Sequence, residues 1–471
     1  MRGMTLQKIA QACGGKLIPA GCLNEETEAS CVVIDSRKIE ENGIFVATKG
    51  ERADGHSFIG QVFEKGALGV ICERIPKENE KAGNFILVKD SLQALKDLAR
   101  YYKSLFSTPT IGIIGSMGKT STKEMVAAVL SERYRVLKTE GNFNNEIGVP
   151  LTVLRLRDEH EIAVIEMGIS TFGEMSRLAE IVRPDSVVFT NIGPCHLEVL
   201  QDLDGVYRAK TEVFSYLSGK GRVCLNGDDE KLRATGEVMG KPPLFYGLSP
   251  QNDISAKDVV NRELEGTDAV ISLEGSEFSV HIPLPGRHTI YNALAAAAAG
   301  LCYGLSGEEI QQGIEHVQGL PGRMNPIRTG KYLVVDDCYN ANPRSMESAL
   351  SLLGGTKSGN RTIAILGDMY ELGEDSDLLH RELGRYAAGL AVDQLVIAGE
   401  LSKSMYEAAA EACKEKADGP AISYYADTDA LLESLKAENP FQEGDVILVK
   451  ASHGMHFEKV VALLTEIMIQ D

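Results

Sequence analysis

The chain has 471 residues, of which 44% are hydrophobic and 24% are charged. This length exceeds what one hydrophobic core supports, so the composition predicts a globular protein of about three domains. The formal net charge of -19 argues against a nucleic-acid partner, because a polyphosphate backbone is normally bound by a basic surface. A single phosphorylated ligand in a locally positive cleft remains compatible with this charge.

Cysteine usage and apolar runs indicate a cytoplasmic protein that does not span a membrane. The nine cysteines are scattered without a CxxC pair, so neither a disulfide framework nor a zinc site is predicted. The N-terminus, MRGMTLQKIAQACGG, is too polar for the apolar core of a signal peptide. The longest apolar run, residues 293–305, is shorter than the roughly 18 residues that suggest a membrane span.

Residues 1–107 mix short strands with helical stretches, which predicts a small α/β domain. Asp35, Ser36 and Arg37 follow one of these strands, and the run GERADGH follows another. Because Asp, Ser and Gly favour turns, surface turn chemistry by itself accounts for both stretches.

A strand, a glycine loop and a helix follow one another in TIGIIGSMGKTSTKEMVAAVL, residues 110–130. Glycines let backbone N–H groups approach a phosphate, and the helix N-terminus adds positive potential. Lys119 can reach the terminal phosphates, and the Thr120 hydroxyl can hold Mg²⁺. The strict P-loop pattern fails, since Ile113 occupies its first glycine position, and an ordinary strand-to-helix turn is the alternative. The combination still favours a nucleoside triphosphate site.

Residues 108–320 alternate strand and helix, which predicts a parallel sheet with ligands at the carboxyl ends of its strands. Glu166 ends the apolar run IAVIEMG, His196 follows SVVFTNIG, and Lys210 lies on the next helix. Each residue has an ordinary alternative as a helix cap, a surface histidine or a solvated lysine. A carboxylate and an imidazole beside a triphosphate nevertheless suit Mg²⁺ ligands or groups that orient them.

Two further stretches of this region carry polar side chains that can bind a ligand. The loop GNFNNEIGVP contains Asn142, Asn144 and Asn145, which can hold a substrate amide or carboxylate or simply form a turn. Asn292 begins an alanine-rich helix, and Arg323 stands near the end of the region, where a guanidinium can neutralise phosphate charge.

Residues 321–471 form a second series of alternating strands and helices, which predicts a Rossmann-like third domain. No G-x-G-x-x-G follows its first strand, so a dinucleotide is not predicted. Asp336, Asp337, Asn340 and Asn342 cluster at the end of that strand, where a small-molecule site is expected. The predicted fold is therefore α/β with a small N-terminal domain, a central P-loop ATPase-type domain with a parallel sheet, and a C-terminal Rossmann-like domain.

The order of these motifs resembles the Mur ligase family, ATP-dependent enzymes that add amino acids to the peptidoglycan precursor. The first domain carries DSR and GERADGHSFI, and the second carries GSMGKTST, GNFNNEIGVP, NIGPCHLE, RAKTE, NALAA and PGRM. The third carries DDCYNANP, GDMYELGE and VKASHGM. DDCYNANP and GDMYELG resemble the branch that adds D-Ala-D-Ala to UDP-N-acetylmuramoyl-tripeptide, so these two substrates are the implied partners.

The resemblance implies ATP and two Mg²⁺ ions as cofactors. The implied ATP-binding residues are Gly115, Ser116, Met117, Gly118, Lys119, Thr120, Ser121, Asn292 (adenine), Arg323 (phosphates) and Asp337 (ribose). The implied metal ligands are Thr120, Glu166, His196 and Lys210, the last as a carbamate, and the catalytic set is Lys119, Glu166, His196 and Lys210. The implied substrate contacts are Asp35, Ser36, Arg37, Asn142, Asn144, Asn145, Asn340 and Asn342.

The implied reaction activates the terminal carboxylate of the tripeptide as an acyl phosphate, which the free amine of D-Ala-D-Ala then attacks. Residues 1–107 would bind the UDP substrate, residues 108–320 ATP, and residues 321–471 the dipeptide. We expect a monomer that binds no nucleic acid. The third residue of the acceptor peptide, diaminopimelate or lysine, stays open.

Four positions depart from the family pattern. Ile114 stands in place of a threonine, and its missing hydroxyl is expected to weaken nucleotide binding. Met117 replaces a small or polar residue and is expected to be tolerated, because the loop acts through its backbone. Ala451 and His453 replace a glycine and an arginine, which puts a substrate contact there in doubt.

Two other functions are consistent with parts of the pattern. One is a different amide ligase of the superfamily, such as an amino-acid-adding Mur enzyme or folylpolyglutamate synthetase, against which DSR and YNANP argue. The other is a nucleotide-binding module without ligase chemistry. Loss of Glu166, His196 or Lys210 would favour that module, and all three are present.

Overall fold

The computed structural model describes residues 1–21, 26–50, 53–273, 275–356, 360–414 and 419–466. The strands form three sheets, of five, nine and six strands. This arrangement confirms the predicted α/β class with three sheet-bearing regions. Two residues of the GERADGH run, 51 and 52, lie outside the described residues.

The first sheet lies within the first hundred residues and has the order β1-β5-β4-β3-β2. Only β1 is antiparallel to its neighbour. The strands are β1 Lys16–Ile18, β2 Val32–Val33, β3 Ile44–Val46, β4 Gly69–Cys72 and β5 Phe85–Leu87. The helices are α1 Leu6–Ala12, α2 Ile59–Glu64 and α3 Ser91–Ser104.

The second sheet carries the glycine loop and has the order β14-β13-β12-β11-β10-β9-β6-β8-β7. Its strands are β6 Thr110–Ile114, β7 Val136–Lys138, β8 Ile162–Glu166, β9 Ser186–Phe189, β10 Val223–Asn226, β11 Leu244–Gly247, β12 Ile254–Asn261, β13 Thr267–Leu273 and β14 Ser276–Ile282. The helices are α4 Lys119–Ser131, α5 Gly148–Val153, α6 Glu174–Val182, α7 Leu197–Leu200, α8 Leu203–Thr211, α9 Glu230–Arg233, α10 Thr289–Cys302 and α11 Gly307–Glu315.

The strands β7, β8, β6, β9, β10, β11 and β12 of this sheet are mutually parallel. Because β6 lies between β8 and β9, the residues that follow these three strands come together at one edge. This placement confirms that Glu166, the loop before His196 and the glycine loop share one end of a parallel sheet.

The third sheet has the order β15-β16-β20-β17-β18-β19, with only β15 antiparallel to its neighbour. Its strands are β15 Asn325–Arg328, β16 Leu333–Asp336, β17 Thr362–Leu366, β18 Gln394–Ala398, β19 Ala421–Tyr425 and β20 Val446–Lys450. The helices are α12 Pro343–Gly355, α13 Ser376–Gly389, α14 Lys403–Lys414, α15 Thr428–Ala437 and α16 Glu458–Glu466.

Contacts divide the chain into two compact units. The first comprises Met1–Lys257, Val270–Val280 and Tyr291–Ile314, and the second comprises Asp258–Ala269, His281–Ile290 and Glu315–Asp471. The predicted boundaries at residues 107/108 and 320/321 fall in connections between elements. The three-domain division by residue stays a prediction.

Helix α3 explains why the first two sheets belong to one compact unit. Asp90 caps its N-terminus by accepting hydrogen bonds from the N–H groups of Leu92 and Gln93. The helix packs against α5 and α6, and the hydroxyl of its buried Tyr102 donates to the carbonyl of Leu156 at 2.8 Å. The apolar face of α3 thus extends one core under both sheets.

Within the described residues, every helix is too short or too polar to cross a lipid bilayer.

Helix α11 approaches α4 so closely that Gly313 has no room for a side chain. A Cβ at Gly313 would lie 2.4 Å from the Cα of Val129. We predict that Gly313→Ala lowers the free energy of unfolding by about 1–3 kcal/mol through overpacking. In the control Gly389→Ala, at the end of α13, the added methyl meets nothing within 4 Å. Urea denaturation should show an unchanged free energy of unfolding for Gly389→Ala. Equal free energies of unfolding for the two variants would contradict the close approach of α11 to α4.

Candidate active site

The glycine loop between β6 and α4 depends on two glycines for its conformation. Gly115 has φ 153°, and a Cβ there would lie 1.9 Å from Thr190 Oγ1. Gly118 has φ 74° and is the N-cap residue of α4. A side chain at Gly118 would strain the backbone, and a side chain at Gly115 would also collide with the loop that follows β9. The sequence therefore turns directly from strand into helix, as predicted.

The loop after β9 holds the glycine loop through its backbone. The N–H of Met117 donates to Asn191 Oδ1 at 3.0 Å, and its carbonyl accepts from Thr190 Oγ1 at 2.6 Å. The Ser116 hydroxyl donates to the carbonyl of Gly193 at 3.0 Å. The side chain of Met117 is exposed, so this departure from the family pattern leaves the backbone arrangement of the loop intact.

Two lysine ammonium groups converge on the same loop carbonyl. Lys119 Nζ donates to the carbonyls of Gly115 and Ser116 at 3.1 and 3.2 Å. Lys210 Nζ, from α8, donates to the carbonyl of Gly115 at 3.0 Å. This places two positive charges at the N-terminus of α4, where an anion is already favoured.

Lys210 is buried, and its environment makes the neutral amine more accessible than in an exposed lysine. Burial, and then the charge of Lys119, lower the pKa of Lys210 to about 8. Glu212, the alternative partner close in sequence, instead accepts hydrogen bonds from Gly173 and Ser176. An ion pair within its own helix therefore does not account for Lys210.

His196 is exposed and lies at the start of α7 with φ 51°. Desolvation, and then the charges of Lys210 and Lys119, lower the pKa of this imidazole. The structure thus brings His196 near the same two lysines that meet the loop. A neutral imidazole can bind a metal ion, whereas a protonated one cannot.

Glu166 is 1% exposed and has one engaged and one free carboxylate oxygen. Its Oε1 accepts from Thr120 Oγ1 at 3.2 Å and from Asn144 Nδ2 at 2.7 Å. Within the described part of the chain, its Oε2 has no hydrogen-bond donor. A buried carboxylate oxygen left without a donor is costly unless a cation or ligand completes it.

Asn292 has a similar unsatisfied group. Its Oδ1 accepts from Thr122 Oγ1 at 3.0 Å, which fixes the direction of the amide. Its Nδ2 is buried, and no acceptor for it occurs among the described residues. The two free donors of this amide are available to a bound ligand.

The polar residues predicted to bind substrate in the first unit lie in two neighbouring loops. Asp35 caps a short 3-10 helix by accepting from the N–H of Arg37, and the Arg37 guanidinium holds the pKa of this carboxyl down to about 2. Ser36 is buried, and its carbonyl accepts from Lys65 Nζ at 3.0 Å. Lys38 Nζ lies 6.0 Å from the centre of the Phe143 ring, which joins this segment to the asparagine loop.

The three asparagines of that loop have different surroundings. Asn144 binds Glu166, as described above. Asn145 Oδ1 accepts from the N–H groups of Ile147 and Gly148 and so helps to start α5, while Asn142 is exposed. Asn144 therefore contacts Glu166. The sequence did not predict this contact.

In the second unit, Asp337 is the centre of a buried polar group. Lys450 Nζ donates to its Oδ2 at 2.6 Å, and the N–H of Met324 donates to its Oδ1 at 3.0 Å. Burial raises the pKa of Asp337, although the charges of Lys450 and Arg323 oppose this shift. The Arg323 guanidinium stacks 3.9 Å above the Tyr339 ring.

The asparagines after β16 have local structural contacts. Asn342 is the N-cap residue of α12 and forms a capping box with Ser345. Asn340 Oδ1 accepts from the N–H of Ala341 at 2.9 Å, and its carbonyl accepts from Lys450 Nζ at 3.1 Å. Neither contact tests the predicted role in binding a dipeptide.

The remaining departures from the family pattern divide between core and surface. Ile114 and Ala451 are fully buried, so both pack in cores. His453 is exposed, and its ring centre lies 5.7 Å from that of Tyr339. An imidazole therefore lies near Tyr339 where the family pattern has an arginine.

Lys123 is a buried charge beside Glu166 that sequence reasoning missed. Its Nζ lies 3.9 Å from Glu166 Oε2, and its side chain is buried in α4 together with Val126 and Ala127. The signal was present, because Lys123 precedes the buried Val126 and Ala127 by one helical turn. From sequence alone, a lysine at that position is expected to be solvated. In the structure, its side chain is buried beside the Glu166 carboxylate.

The group around Thr120 and Glu166 fits a Mg²⁺ ion, since it offers a hydroxyl and a carboxylate oxygen without a hydrogen bond, next to the glycine loop. In the residues for which side chains are described, no cluster of three His, Cys, Asp or Glu side chains has metal-binding geometry. Oxygen atoms from a triphosphate would supply the rest of such a coordination sphere.

Three family profiles match the chain in order. They are described as "Mur ligase family, catalytic domain" over residues 28–103, "Mur ligase middle domain" over residues 113–300, and "Mur ligase, glutamate ligase domain" over residues 322–453. Together they cover all three sheet-bearing regions, including the glycine loop and the Asp337 group.

Individual relatives match along the full length. The UDP-N-acetylmuramoyl-tripeptide–D-alanyl-D-alanine ligase of Bacillus subtilis is 38% identical over 98% of both chains. A crystal structure of MurF from Acinetobacter baumannii is similar with a TM-score of 0.86 at 31% identity, over 98% of this chain and 99% of that chain.

A MurF ligase from Thermotoga maritima, solved in complex with ADP, gives a TM-score of 0.73 at 29% identity over 93% of this chain and 98% of that chain. The motif order, the sheet arrangement and these full-length similarities agree. The chain belongs to the Mur ligase family.

Proposed function

We propose that the chain is an ATP-dependent amide ligase that joins D-Ala-D-Ala to UDP-N-acetylmuramoyl-tripeptide, acting as a monomer in the cytoplasmic synthesis of peptidoglycan precursors. The observation that carries this proposal is the convergence of Lys119 and Lys210 on the Gly115 carbonyl, beside the unsatisfied Glu166 Oε2. Such a site concentrates positive charge for phosphate and leaves a carboxylate oxygen for its metal ion. Full-length similarity to ligases of that name supports the choice of substrates.

ATP would lie on the glycine loop with its phosphates toward the N-terminus of α4. Within the loop of residues 115–121, the N–H groups of Ser116 and Met117 are bonded to Asn191, so the N–H groups in the first turn of α4 and the Lys119 ammonium suit the phosphates. The free amide donors of Asn292 suit adenine. Arg323 and Asp337 keep their predicted roles on phosphate and ribose as part of the proposal.

Thr120, Glu166, His196 and carbamylated Lys210 would hold two Mg²⁺ ions. The lowered pKa of Lys210 supports the carbamate, because only a neutral amine reacts with CO₂. Bound Mg²⁺ supplies Lewis-acid stabilisation of the charge on the phosphoryl oxygens.

The reaction has two steps. A carboxylate oxygen of the tripeptide attacks the γ-phosphorus of ATP, and ADP leaves, which forms an acyl phosphate. The neutral amine of D-Ala-D-Ala then attacks the acyl carbon, the carbon–oxygen bond to the phosphate breaks, and the proton that the amine loses leaves with the phosphate as hydrogen phosphate. Lys119 stabilises the negative charge that the phosphoryl oxygens carry in the first step.

The substrate assignment follows the predicted regions. Residues 1–107, with Asp35, Ser36 and Arg37, would bind the UDP substrate, and Asn142, Asn144 and Asn145 would extend that contact. Residues 108–320 would bind ATP, and residues 321–471, with Asn340 and Asn342, would bind the dipeptide. The neighbouring positions of Lys38 and Phe143 support one continuous substrate path within the first unit.

The amine specificity separates this proposal from its alternatives. With ATP and UDP-N-acetylmuramoyl-tripeptide present, we predict that phosphate release depends on D-Ala-D-Ala and is poor with single amino acids or glutamate. A coupled phosphate assay over a panel of amines measures this dependence. Equal activity with free lysine or diaminopimelate on a shorter acceptor would move the chain to the amino-acid-adding branch, and no amine-dependent release would favour a binding module.

The glycine loop is tested by Lys119→Ala. We predict that turnover falls by about 10²–10³-fold or more while the fold persists, because Lys119 contacts loop carbonyls and stabilises charge rather than a core. Lys231→Ala, which removes a surface ion pair with Asp204, is the matched control and should keep normal turnover. Normal ATP consumption by Lys119→Ala with an unchanged circular dichroism spectrum would refute the loop assignment.

The carbamate is tested by mass and by chemical rescue. We predict the added mass of one carbamate on Lys210, loss of activity in Lys210→Ala, and partial recovery with acetate, whose oxygens can occupy the vacated positions. The control is Lys210→Arg, whose guanidinium fills the space. It should show no carbamate mass, because a guanidinium cannot form a carbamate. A fully active Lys210→Ala enzyme would falsify this role.

A further inference from the structure

Lys123 is a lysine whose side chain is completely buried in the first unit. Its side chain is 0% exposed, and that of Glu166 is 1% exposed. Lys123 Nζ lies 3.0 Å from Glu124 Oε1 and 3.9 Å from Glu166 Oε2. Within the described residues, neither Lys123 Nζ nor Glu166 Oε2 forms a hydrogen bond.

The charges around this lysine alternate and extend to the surface. Glu124, which faces Lys123 with one oxygen, also pairs with Lys138, whose side chain is 45% exposed. Glu124 is therefore neutralised by Lys138 as well as by Lys123. The carboxylate of Glu166 receives neutral donors from Thr120 and Asn144, and the ammonium of Lys123 lies 3.9 Å from its Oε2.

A buried ammonium without hydrogen bonds is costly, and its retention calls for a partner of opposite charge. Glu124 supplies that partner, because Lys123 Nζ lies 3.0 Å from its Oε1. Toward Glu166, by contrast, Lys123 Nζ stays 3.9 Å from Oε2, whereas the buried pair of Lys450 and Asp337 closes to 2.6 Å. This geometry offsets the carboxylate charge while leaving the oxygen available to another ligand.

We propose that Lys123 is a positioning residue that acts as the resident counter-ion of Glu166 and weakens the binding of divalent cations until a nucleotide supplies further negative charge. The inference rests on the proposed function, because it takes Glu166 as a ligand of the nucleotide's metal ion. Its ammonium repels an incoming cation, while the phosphates of a nucleotide add the negative charge that overcomes this repulsion. The metal would consequently enter together with the nucleotide rather than before it.

Metal affinity in the absence of nucleotide tests this role. The probe is Mn²⁺, which takes oxygen ligands as Mg²⁺ does, and the free ion is measured by electron paramagnetic resonance with the full-length protein. We expect Lys123→Met to bind Mn²⁺ more tightly than wild type by about tenfold or more. Glu124→Gln, which leaves the lysine less neutralised, should bind Mn²⁺ more weakly, whereas Lys123→Arg should resemble wild type.

One further variant tests whether the effect acts through Glu166, and a second replaces Lys123→Met if that variant does not fold. Lys123→Met combined with Glu166→Gln should lose the tighter binding, since the effect acts through Glu166. If Lys123→Met does not fold, the double variant Lys123→Met/Glu124→Gln is compared with Glu124→Gln, because it removes the ion pair as a whole. Tighter binding in the double variant supports the proposal.

Unchanged or weaker Mn²⁺ binding on removal of Lys123, in either background, overturns the counter-ion role and leaves a structural lysine. The test does not depend on turnover. An active ligase with unchanged Mn²⁺ affinity in Lys123→Met contradicts this inference alone, whereas a failed amine panel with the expected Mn²⁺ shifts contradicts only the substrates proposed above.

Discussion

The carbonyl of Gly115 accepts hydrogen bonds from both Lys119 and Lys210, and the candidate site depends on this convergence. Gly115 has a backbone conformation that favours glycine, and it lies so close to Thr190 that a side chain would not fit. This placement lets its carbonyl face both lysines. Burial, and then repulsion by the Lys119 ammonium, lower the pKa of Lys210, and the two ammonium groups leave a positive field at the start of α4. Phosphate binding and carbamate chemistry would both draw on that field.

Burial of charge sets the properties of the other groups in the site. Glu166, Lys123 and Lys210 are each nearly inaccessible to water, so their interactions are screened less than those of surface pairs. Two of them keep a group available to a ligand or reagent: Glu166 keeps its Oε2 without a hydrogen bond, and Lys210 has an accessible neutral amine. A site arranged in this way is incomplete without anionic and cationic ligands, which is consistent with a nucleotide and its metal ion.

Much of the fold could be predicted from sequence, because the strands are continuous apolar runs and the helices have apolar residues at helical spacing. The candidate residues Lys119, Thr120, Glu166, His196 and Lys210 were likewise predicted, since each follows the end of a strand or lies on the next helix. Asn144 was assigned to substrate, although its amide binds Glu166. Lys123 was missed, because a lysine on a helix is usually solvated and sequence spacing does not reveal which carboxylate faces it.

The sequence by itself determined the α/β class, the strand–loop–helix unit, the three regions and the family, because these depend on local periodicity, glycine positions and motif order. Only the tertiary structure decided which atoms remain unsatisfied, why Lys210 has a lowered pKa, and that Glu212 faces Ser176 rather than Lys210. The physical reason is that burial and Coulomb interaction depend on distances between residues far apart in the chain. Strand order, which brings β8 and β9 to either side of β6, sets those distances.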